Sequence, residues 1–303
     1  MGAILVTGGL GYLGRHLVAE LVGRGDRVVS YDRDFTDAGK ETLTYVQGEL
    51  YDLPRLTEAL RTHDIDRIVH TAAMSHPELS VSLPITTFTA NVAGTLHALE
   101  AARMVGGIKR FVNFSSECAY GNVEGPVTEQ SPLHPTTPYG VTKVATELMG
   151  SVYTDLYGVD VVSLRPTELY GPGNRMPQYL REMIRAGVEK RPFRLESGAD
   201  QRFHFVHVAD VAAATVLALD CDKPDARIYN LTGGSQITLR DAAAIVRDAL
   251  PDADIEIGPG PLDLDQQGPY DISAAERDLG YRPSLSVDDG LRSYVAWLRD
   301  HPF

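Results

Sequence analysis

Ala3-Ile4-Leu5-Val6-Thr7-Gly8-Gly9-Leu10-Gly11-Tyr12-Leu13-Gly14 is the most informative stretch of the 303-residue chain. Residues 3–7 form a short, largely apolar run, which predicts a buried strand. Glycines follow it at once, and helical spacing begins behind them, carried by Leu17, Val18, Leu21 and Val22. The predicted order is therefore strand, glycine turn, helix.

The spacing of the glycines is typical of a turn that holds a dinucleotide. Gly8 allows the tight turn, Gly11 lets the backbone approach a pyrophosphate, and Gly14 lets the helix pack closely on the strand. The anion would meet the positive end of the helix. Asp32, eighteen residues beyond Gly14 at the end of the next strand, can accept hydrogen bonds from ribose hydroxyls. It would repel a 2′-phosphate, so NAD is preferred over NADP, although the adjacent Arg33 could pair with such a phosphate. A glycine-rich turn without a ligand is the alternative.

Strands and helices alternate beyond this point. Strands are predicted at 27–32, 43–46, 67–70, 110–114 and 159–164, and helices at 53–61, 84–105 and 139–157. This alternation favours an α/β fold with a doubly wound parallel sheet of the Rossmann type.

Proline and glycine become denser after residue 165, which predicts a smaller, interleaved C-terminal lobe. We expect residues 1–165 to bind NAD and residues 166–303 mainly to bind substrate. Late elements of the main sheet are expected at about 203–230, including a strand at 203–206 and a helix at 208–219. The final helix is predicted at 287–298.

Composition excludes several classes of partner. The net charge is −13 and no basic run occurs, which argues against nucleic acid and anionic membranes. No apolar run reaches eighteen residues, and Met1 leads directly into a strand pattern, so neither a membrane span nor a signal peptide is expected. Cys118 and Cys221 fit neither a metal motif nor a disulfide framework, so no metal and a cytoplasmic location are expected.

Tyr139 and Lys143 form the first candidate catalytic pair. Residues four apart share a helical face, so the ammonium can sit beside the phenol and favour its ionised form. Tyr139 is therefore a candidate proton acceptor. Such pairs also arise by chance, and an ordinary exposed helix pair is the alternative.

Several ordered motifs together resemble the extended short-chain dehydrogenase/reductases, the NAD-dependent epimerase/dehydratase group, over nearly the whole chain. The motifs that carry the resemblance are the glycine turn 7–14, Gly48-Glu49-Leu50, His70-Thr71-Ala72-Ala73, Asn91-Val92-Ala93-Gly94-Thr95, Ser115-Ser116 with Tyr120-Gly121, Tyr139-Gly140-Val141-Thr142-Lys143, and Leu169-Tyr170-Gly171-Pro172-Gly173.

The resemblance implies a role for each catalytic residue. Tyr139 would exchange a proton with a substrate hydroxyl while hydride moves to or from C4 of the nicotinamide. Lys143 would lower the pKa of Tyr139 and bind the nicotinamide ribose. Ser116 would orient the same substrate oxygen, unless it merely caps the turn after its strand. By similarity and by the glycine spacing, the cofactor contacts would be Gly8, Gly11, Tyr12, Leu13, Gly14, Asp32, Glu49, Leu50, Ala72, Ala73, Lys143 and Pro166, whereas Asn91 would be structural.

The resemblance also indicates the substrate side, where we expect Ser75, His76, Glu117, Glu168 and Arg202. Three departures from the family pattern argue against a nucleotide diphosphate. The usual Arg falls at Phe203, with Arg202 one place early and hence on the other face of a strand. Glu168 replaces a common Asn and would repel phosphate. No Lys or Arg lies between residues 247 and 277. We therefore hypothesise a polyhydroxylated sugar, sugar acid or amino sugar without a diphosphate.

Dehydration is less favoured than oxidation, reduction or epimerisation. Dehydratases of this group carry an Asp-Glu pair after the catalytic hydroxyl, whereas this chain has Glu117-Cys118, and a thiol is a poor proton donor at neutral pH. The surroundings of His76 nevertheless resemble the dehydratase pattern, and His76 could also be a simple loop residue.

The expected function is hydride transfer between NAD and a secondary alcohol or ketone of a sugar-like small molecule. The alternatives are a nucleotide-sugar 4-epimerase or dehydratase and, from another class, a non-catalytic NAD-binding regulator. The helices near 92–105 and 141–157 resemble a family dimer interface, which predicts a homodimer.

Overall fold

The computed structural model describes residues 2–36 and 41–301. In chain order its strands are β1 (Ala3–Thr7), β2 (Val28–Asp32), β3 (Leu43–Gln47), β4 (Ile65–His70), β5 (Arg110–Phe114), β6 (Val161–Pro166), β7 (Glu168–Tyr170), β8 (Phe193–Leu195), β9 (Arg202–Phe203), β10 (Phe205–His207), β11 (Ile228–Leu231), β12 (Ile237–Thr238) and β13 (Ile255–Ile257).

The α-helices are α1 (Tyr12–Gly23), α2 (Leu53–Thr62), α3 (Pro77–Ser82), α4 (Pro84–Phe88), α5 (Gly94–Val105), α6 (Pro138–Tyr157), α7 (Tyr179–Val188), α8 (Val208–Asp220), α9 (Leu239–Ala249), α10 (Ser273–Leu279) and α11 (Val287–Asp300). A π-helical turn covers Thr89–Ala93, and a 3₁₀ turn covers Glu117–Ala119.

Seven parallel strands form the main sheet, in the order β11-β6-β5-β4-β1-β2-β3. The order runs outward in both directions from β1, which confirms the predicted doubly wound sheet. Alternate residues of β1 face opposite sides. Ile4 and Val6 belong to a core that α1, α8 and α10 cover, while Ala3 and Leu5 belong to a core beneath α2, α5 and α6.

The C-terminal lobe has its own core, built from α7, α9, α11 and short strand pairs. The prediction that a strand at 203–206 belongs to the main sheet is wrong. Instead, β9 pairs with β12, and β10 pairs with β7. Phe203 and Phe205 stack on each other within the lobe core, and the main-sheet position beside β6 is taken by β11.

The predicted helix at 84–105 is present without interruption as α4, the π-helical turn and α5. The buried Asn91 lies in this turn, and its side chain bonds the backbone of Met74, with the Met74 N–H donating at 2.7 Å and the Met74 carbonyl accepting at 3.2 Å. A π-bulge of this kind commonly marks a functional region. Asn91 thus connects this helix to the loop after β4, and its structural role stays a prediction.

A buried ion pair fixes α6 against the sheet. Arg165 on β6 donates to both carboxylate oxygens of Glu147 at 2.7 and 2.6 Å, and to the Tyr120 hydroxyl at 2.7 Å. Tyr120 in turn donates to Asn230 on β11 at 2.6 Å. Because a buried charge without its partner is costly, this network holds α6 and its Tyr139 in one place.

Candidate active site

The glycine turn is closely packed at the carboxyl edge of the sheet. Gly8 has a φ of +67°, which glycine adopts easily. A Cβ on Gly14 would lie 2.0 Å from the Gly8 carbonyl oxygen, and a Cβ on Gly8 would lie 2.8 Å from the Ala72 Cα. The turn after β1 therefore contacts the loop after β4, as a shared dinucleotide site requires.

The residues of this turn fit a dinucleotide. No side chain caps α1 at Gly11, and the first turn of α1 has no acidic residue, so its positive end is left for a phosphate. Asp32 accepts a hydrogen bond from the Leu10 N–H at 2.9 Å, which fixes the carboxylate beside the turn. When NAD binds, Asp32 would accept the ribose hydroxyls and the backbone from Gly11 to Gly14 would hold the pyrophosphate; these contacts stay predictions.

Other residues predicted at the cofactor lie around the same edge. The Tyr12 hydroxyl donates to the Gly171 carbonyl oxygen at 3.2 Å, which joins the turn to the start of the lobe. Leu13 packs against the first core. Glu49 is exposed, and Leu50 lies against Gly94. Their contacts to the cofactor stay predictions, as do those of Ala72, Ala73 and Pro166.

Ser116, Tyr139 and Lys143 come together beyond the end of β5. All three are buried, with exposed fractions of 8%, 7% and 5%. The Lys143 ammonium donates to the Phe114 carbonyl oxygen at 2.7 Å and lies 5.4 Å from the centroid of the Tyr139 ring. Ser116 also accepts the Cys118 N–H at 3.2 Å, so it caps the 3₁₀ turn as well.

Burial dominates the protonation of this group. Desolvation raises the pKa of Tyr139, the neighbouring Cys118 raises it further, and a hydrogen bond from Ser116 lowers it. Burial also lowers the pKa of Lys143 to about 8, against the opposing effects of Cys118 and Glu147. The direction for Tyr139 is opposite to the lowering expected from Lys143, because burial disfavours the charged phenolate.

Two predicted substrate carboxyls lie close to this group. Burial raises the pKa of Glu117, with Glu168 and Asp265 adding to the effect. Burial and the charge of Glu78 raise the pKa of Glu168 to about 7. Glu168 accepts a hydrogen bond from the Gln178 side chain at 2.8 Å. The Cys118 pKa is about 12, first through burial and then through Glu117, so its thiol stays neutral.

Ser75 and His76 lie opposite the start of the lobe. The Ser75 hydroxyl is 3.6 Å from the Met176 sulfur, which brings the loop after β4 to the segment before α7. His76 Nδ1 accepts the Leu79 N–H at 3.2 Å and caps α3. This leaves Nε2 as the ring atom that can meet a ligand.

Arg202 is exposed on β9, while its neighbour Phe203 packs against Phe205 with 5.1 Å between ring centroids. The two side chains thus point to different environments, as expected for successive residues of a strand. A contact between Arg202 and substrate stays a prediction.

Sequence reasoning missed the segment that covers Glu117. Gln267 donates to the carbonyl oxygens of Glu117 and Gly121 at 3.2 and 3.0 Å. Tyr270 donates to Gln267 at 2.9 Å, and its ring packs on Tyr120 and His204. A separation of about 150 residues leaves no local pattern from which this contact could be found.

Comparison with known proteins agrees with this arrangement. The model of the NAD dependent epimerase/dehydratase family matches residues 4–232. UDP-glucuronic acid decarboxylase 1 of Arabidopsis thaliana is 31% identical over 318 aligned residues, which cover 98% of this chain and 70% of the relative.

Solved structures are similar over their full length. UDP-glucose 4-epimerase of Thermus thermophilus, in complex with NAD, is 27% identical with a TM-score of 0.87 and 99% of each chain covered. The dTDP-glucose 4,6-dehydratase of Streptomyces venezuelae, also with NAD bound, is 30% identical with a TM-score of 0.88, covering 99% of this chain and 97% of that one. This chain therefore belongs to the NAD dependent epimerase/dehydratase family, within the extended short-chain dehydrogenase/reductases, and is an NAD-dependent enzyme that works by hydride transfer.

Proposed function

We propose that this enzyme oxidises or reduces a secondary alcohol or ketone of a sugar or sugar-like substrate, with Tyr139 as the general acid/base. The observation that carries the proposal is the burial of Ser116, Tyr139 and Lys143 together beyond β5, on the edge of the sheet that holds the glycine turn.

Each residue has a distinct task in this mechanism. The Tyr139 phenol exchanges a proton with the substrate oxygen, and the Ser116 hydroxyl orients that oxygen. Lys143, fixed by the Phe114 carbonyl, supplies positive charge beside the phenol and a donor for a ribose hydroxyl. NAD, when bound, accepts or returns the hydride.

The test is a substrate panel with the NAD-loaded protein. UDP-glucose, UDP-glucuronic acid, dTDP-glucose, glucose, glucuronic acid and glucosamine would be followed by absorbance of NADH and by proton NMR of the sugar. We expect Tyr139→Phe to keep NAD affinity and to lose roughly 10²–10⁴-fold in turnover. Undiminished turnover in this variant would exclude Tyr139 as the acid/base.

Whether NAD stays bound decides whether the enzyme is an epimerase or a dehydrogenase. If NAD stays bound, oxidation followed by reduction from the other face gives epimerisation. If NADH leaves, the enzyme is a dehydrogenase. Mass spectrometry of the purified protein for bound NAD distinguishes them.

Relatives support a second candidate function, that of a nucleotide-sugar 4-epimerase or dehydratase. They are named for substrates that carry UDP or dTDP. Dehydration is the less favoured of these reactions, because the neutral Cys118 thiol stands where a second acid would be needed.

The acidic character of the substrate side instead supports a sugar without a diphosphate. Glu168 has a pKa raised to about 7 by burial and by Glu78, so it is partly negative at neutral pH. Calorimetric titration with UDP and dTDP tests the point. Micromolar binding of either would exclude the diphosphate-free substrate and favour the second candidate.

We further propose a homodimer in the cytoplasm. Val141, Leu148, Val152 and Leu156 form an exposed apolar stripe along α6, and Leu96 and Met104 are exposed on the adjacent α5. A second copy of this chain would cover this stripe. Both cysteines are free thiols, which suits a reducing compartment. In the described ranges, no helix is long and apolar enough to cross a membrane.

A further inference from the structure

Tyr139 is the second residue of α6, where a backbone N–H has no partner inside the helix. The helix cap Thr137 serves the next residue, since its hydroxyl accepts the Gly140 N–H at 3.2 Å. The Tyr139 N–H donates instead to the hydroxyl of Ser80 at 3.0 Å, across 59 residues of sequence. A residue of α3 thus completes the start of α6.

The Ser80 hydroxyl is held in a single orientation. Ser80 is fully buried, and its hydroxyl donates to the Pro77 carbonyl oxygen at 2.5 Å. Since its proton is used there, its lone pair faces the Tyr139 N–H. Losing this oxygen would leave a buried N–H without a partner, which drives a local shift of the backbone.

The carbonyl side of Tyr139 is tied to the same region. Thr142 donates to the Tyr139 carbonyl oxygen at 2.7 Å, and Asn91 donates to the Thr142 hydroxyl at 2.9 Å. Asn91 also bonds both backbone groups of Met74. Both peptide groups of Tyr139 are therefore connected to the segment 74–80.

This segment includes predicted contacts to the substrate. Ser75 and His76 lie within it. The His76 ring accepts the Leu79 N–H at 3.2 Å, and the His76 carbonyl oxygen accepts the Ser80 N–H at 3.0 Å. Hydrogen bonds therefore connect the segment 74–80 to Tyr139, the proposed acid/base.

We propose that Ser80 is a positioning residue, which fixes the Tyr139 phenol relative to the segment 74–80 and its predicted substrate contacts. The inference rests on the proposed role of Tyr139 as the acid/base. Its physical basis is that a small displacement of a catalytic group costs much of the rate while binding is retained.

The first test needs no sugar. Protein labelled with [ζ-¹³C]tyrosine and saturated with NAD gives a resonance for Tyr139, which Tyr139→Phe assigns. We expect Ser80→Ala to shift or broaden this resonance. Ser82→Ala is the matched control, because within the described ranges the exposed Ser82 hydroxyl bonds only the Leu79 carbonyl oxygen of its own helix, at 3.0 Å. An unchanged Tyr139 resonance in Ser80→Ala would overturn the proposal.

The second test uses whichever panel sugar the wild-type enzyme turns over fastest. Ser80→Ala should lower kcat roughly tenfold with KM within about twofold, while Ser82→Ala changes neither. An unchanged kcat in Ser80→Ala, or a change in KM alone, would contradict the positioning role of Ser80. If Ser80→Ala does not fold, Thr142→Val removes the hydroxyl on the carbonyl side and is judged by the same outcomes. If no sugar is turned over, the proposed function fails, and the NMR result still decides on Ser80.

Discussion

At the scale of single residues, burial alters the charge of the Glu168 carboxyl. Its carboxyl is bonded to Gln178, and its pKa lies at about 7 through burial and then through Glu78. It therefore changes charge within the physiological range. A phosphate bound nearby would be repelled more strongly when Glu168 is ionised.

Glu168→Gln should tighten UDP binding at pH 8 about tenfold, because it removes a negative charge and keeps an acceptor for Gln178. The ratio of wild-type to variant Kd should approach one below pH 6, where wild-type Glu168 is protonated. Calorimetry at both pH values measures this ratio. Glu58→Gln, exposed on α2, is the control and should bind UDP as the wild type does. A ratio that does not depend on pH would contradict the assignment.

The same substitution should change stability with a definite sign. The folded pKa of Glu168 is about 7 and the unfolded value is 4.5, so the native state binds more protons between these values. Stability is then lost as pH rises through this window. Glu168→Gln should raise Tm at pH 8 relative to wild type and leave it unchanged near pH 4.

The sequence was sufficient to predict Ser116, Tyr139 and Lys143 as a group, because each lies in a local motif beside a strand or helix end. Ser80 and Gln267 have no such motif. Their importance depends on hydrogen bonds to Tyr139 and Glu117, which only the folded chain brings within reach.

At the scale of elements, the glycine turn and α1 depend on close backbone contact. Gly14→Ala would place a Cβ 2.0 Å from the Gly8 carbonyl oxygen, so α1 must move away from β1. We expect at least a roughly tenfold loss of NAD affinity by calorimetry, since the helix end no longer meets the pyrophosphate. Gly23→Ala is the control, because a Cβ there meets no atom of the described residues within 4 Å. Equal NAD affinity in both variants would show that the turn does not hold the cofactor.

Elements with strong local patterns were predictable. The strand at 110–114 matches β5, and the helix predicted at 139–157 starts only one residue late relative to α6. The helix predicted at 84–105 has the observed bounds from the start of α4 to the end of α5. Its π-helical turn, where Asn91 bonds the loop after β4, could not be predicted, because this contact joins residues distant in sequence.

At the scale of the whole molecule, the exposed stripe on α6 predicts assembly. Leu148 is 63% exposed, and Leu148→Glu would place a charge in the proposed interface. We expect a change from dimer to monomer in light scattering coupled to size exclusion. Leu217→Glu on α8, outside the stripe, should leave the mass unchanged. A monomeric wild type, or a dimeric Leu148→Glu variant, would refute this interface.

The order of connections also limits how this enzyme can be re-engineered. After β6 the chain builds β7 to β10 of the lobe, returns to the main sheet with α8 and β11, and leaves again for β12, α9 and β13. No single cut separates the main sheet from the lobe, and a graft of the C-terminal half would include β11, an edge strand of the main sheet. Recombination with a relative at one point after β6 would therefore exchange an edge strand of the main sheet together with the lobe, so a change of substrate preference that keeps this sheet intact calls for point substitutions within the chain.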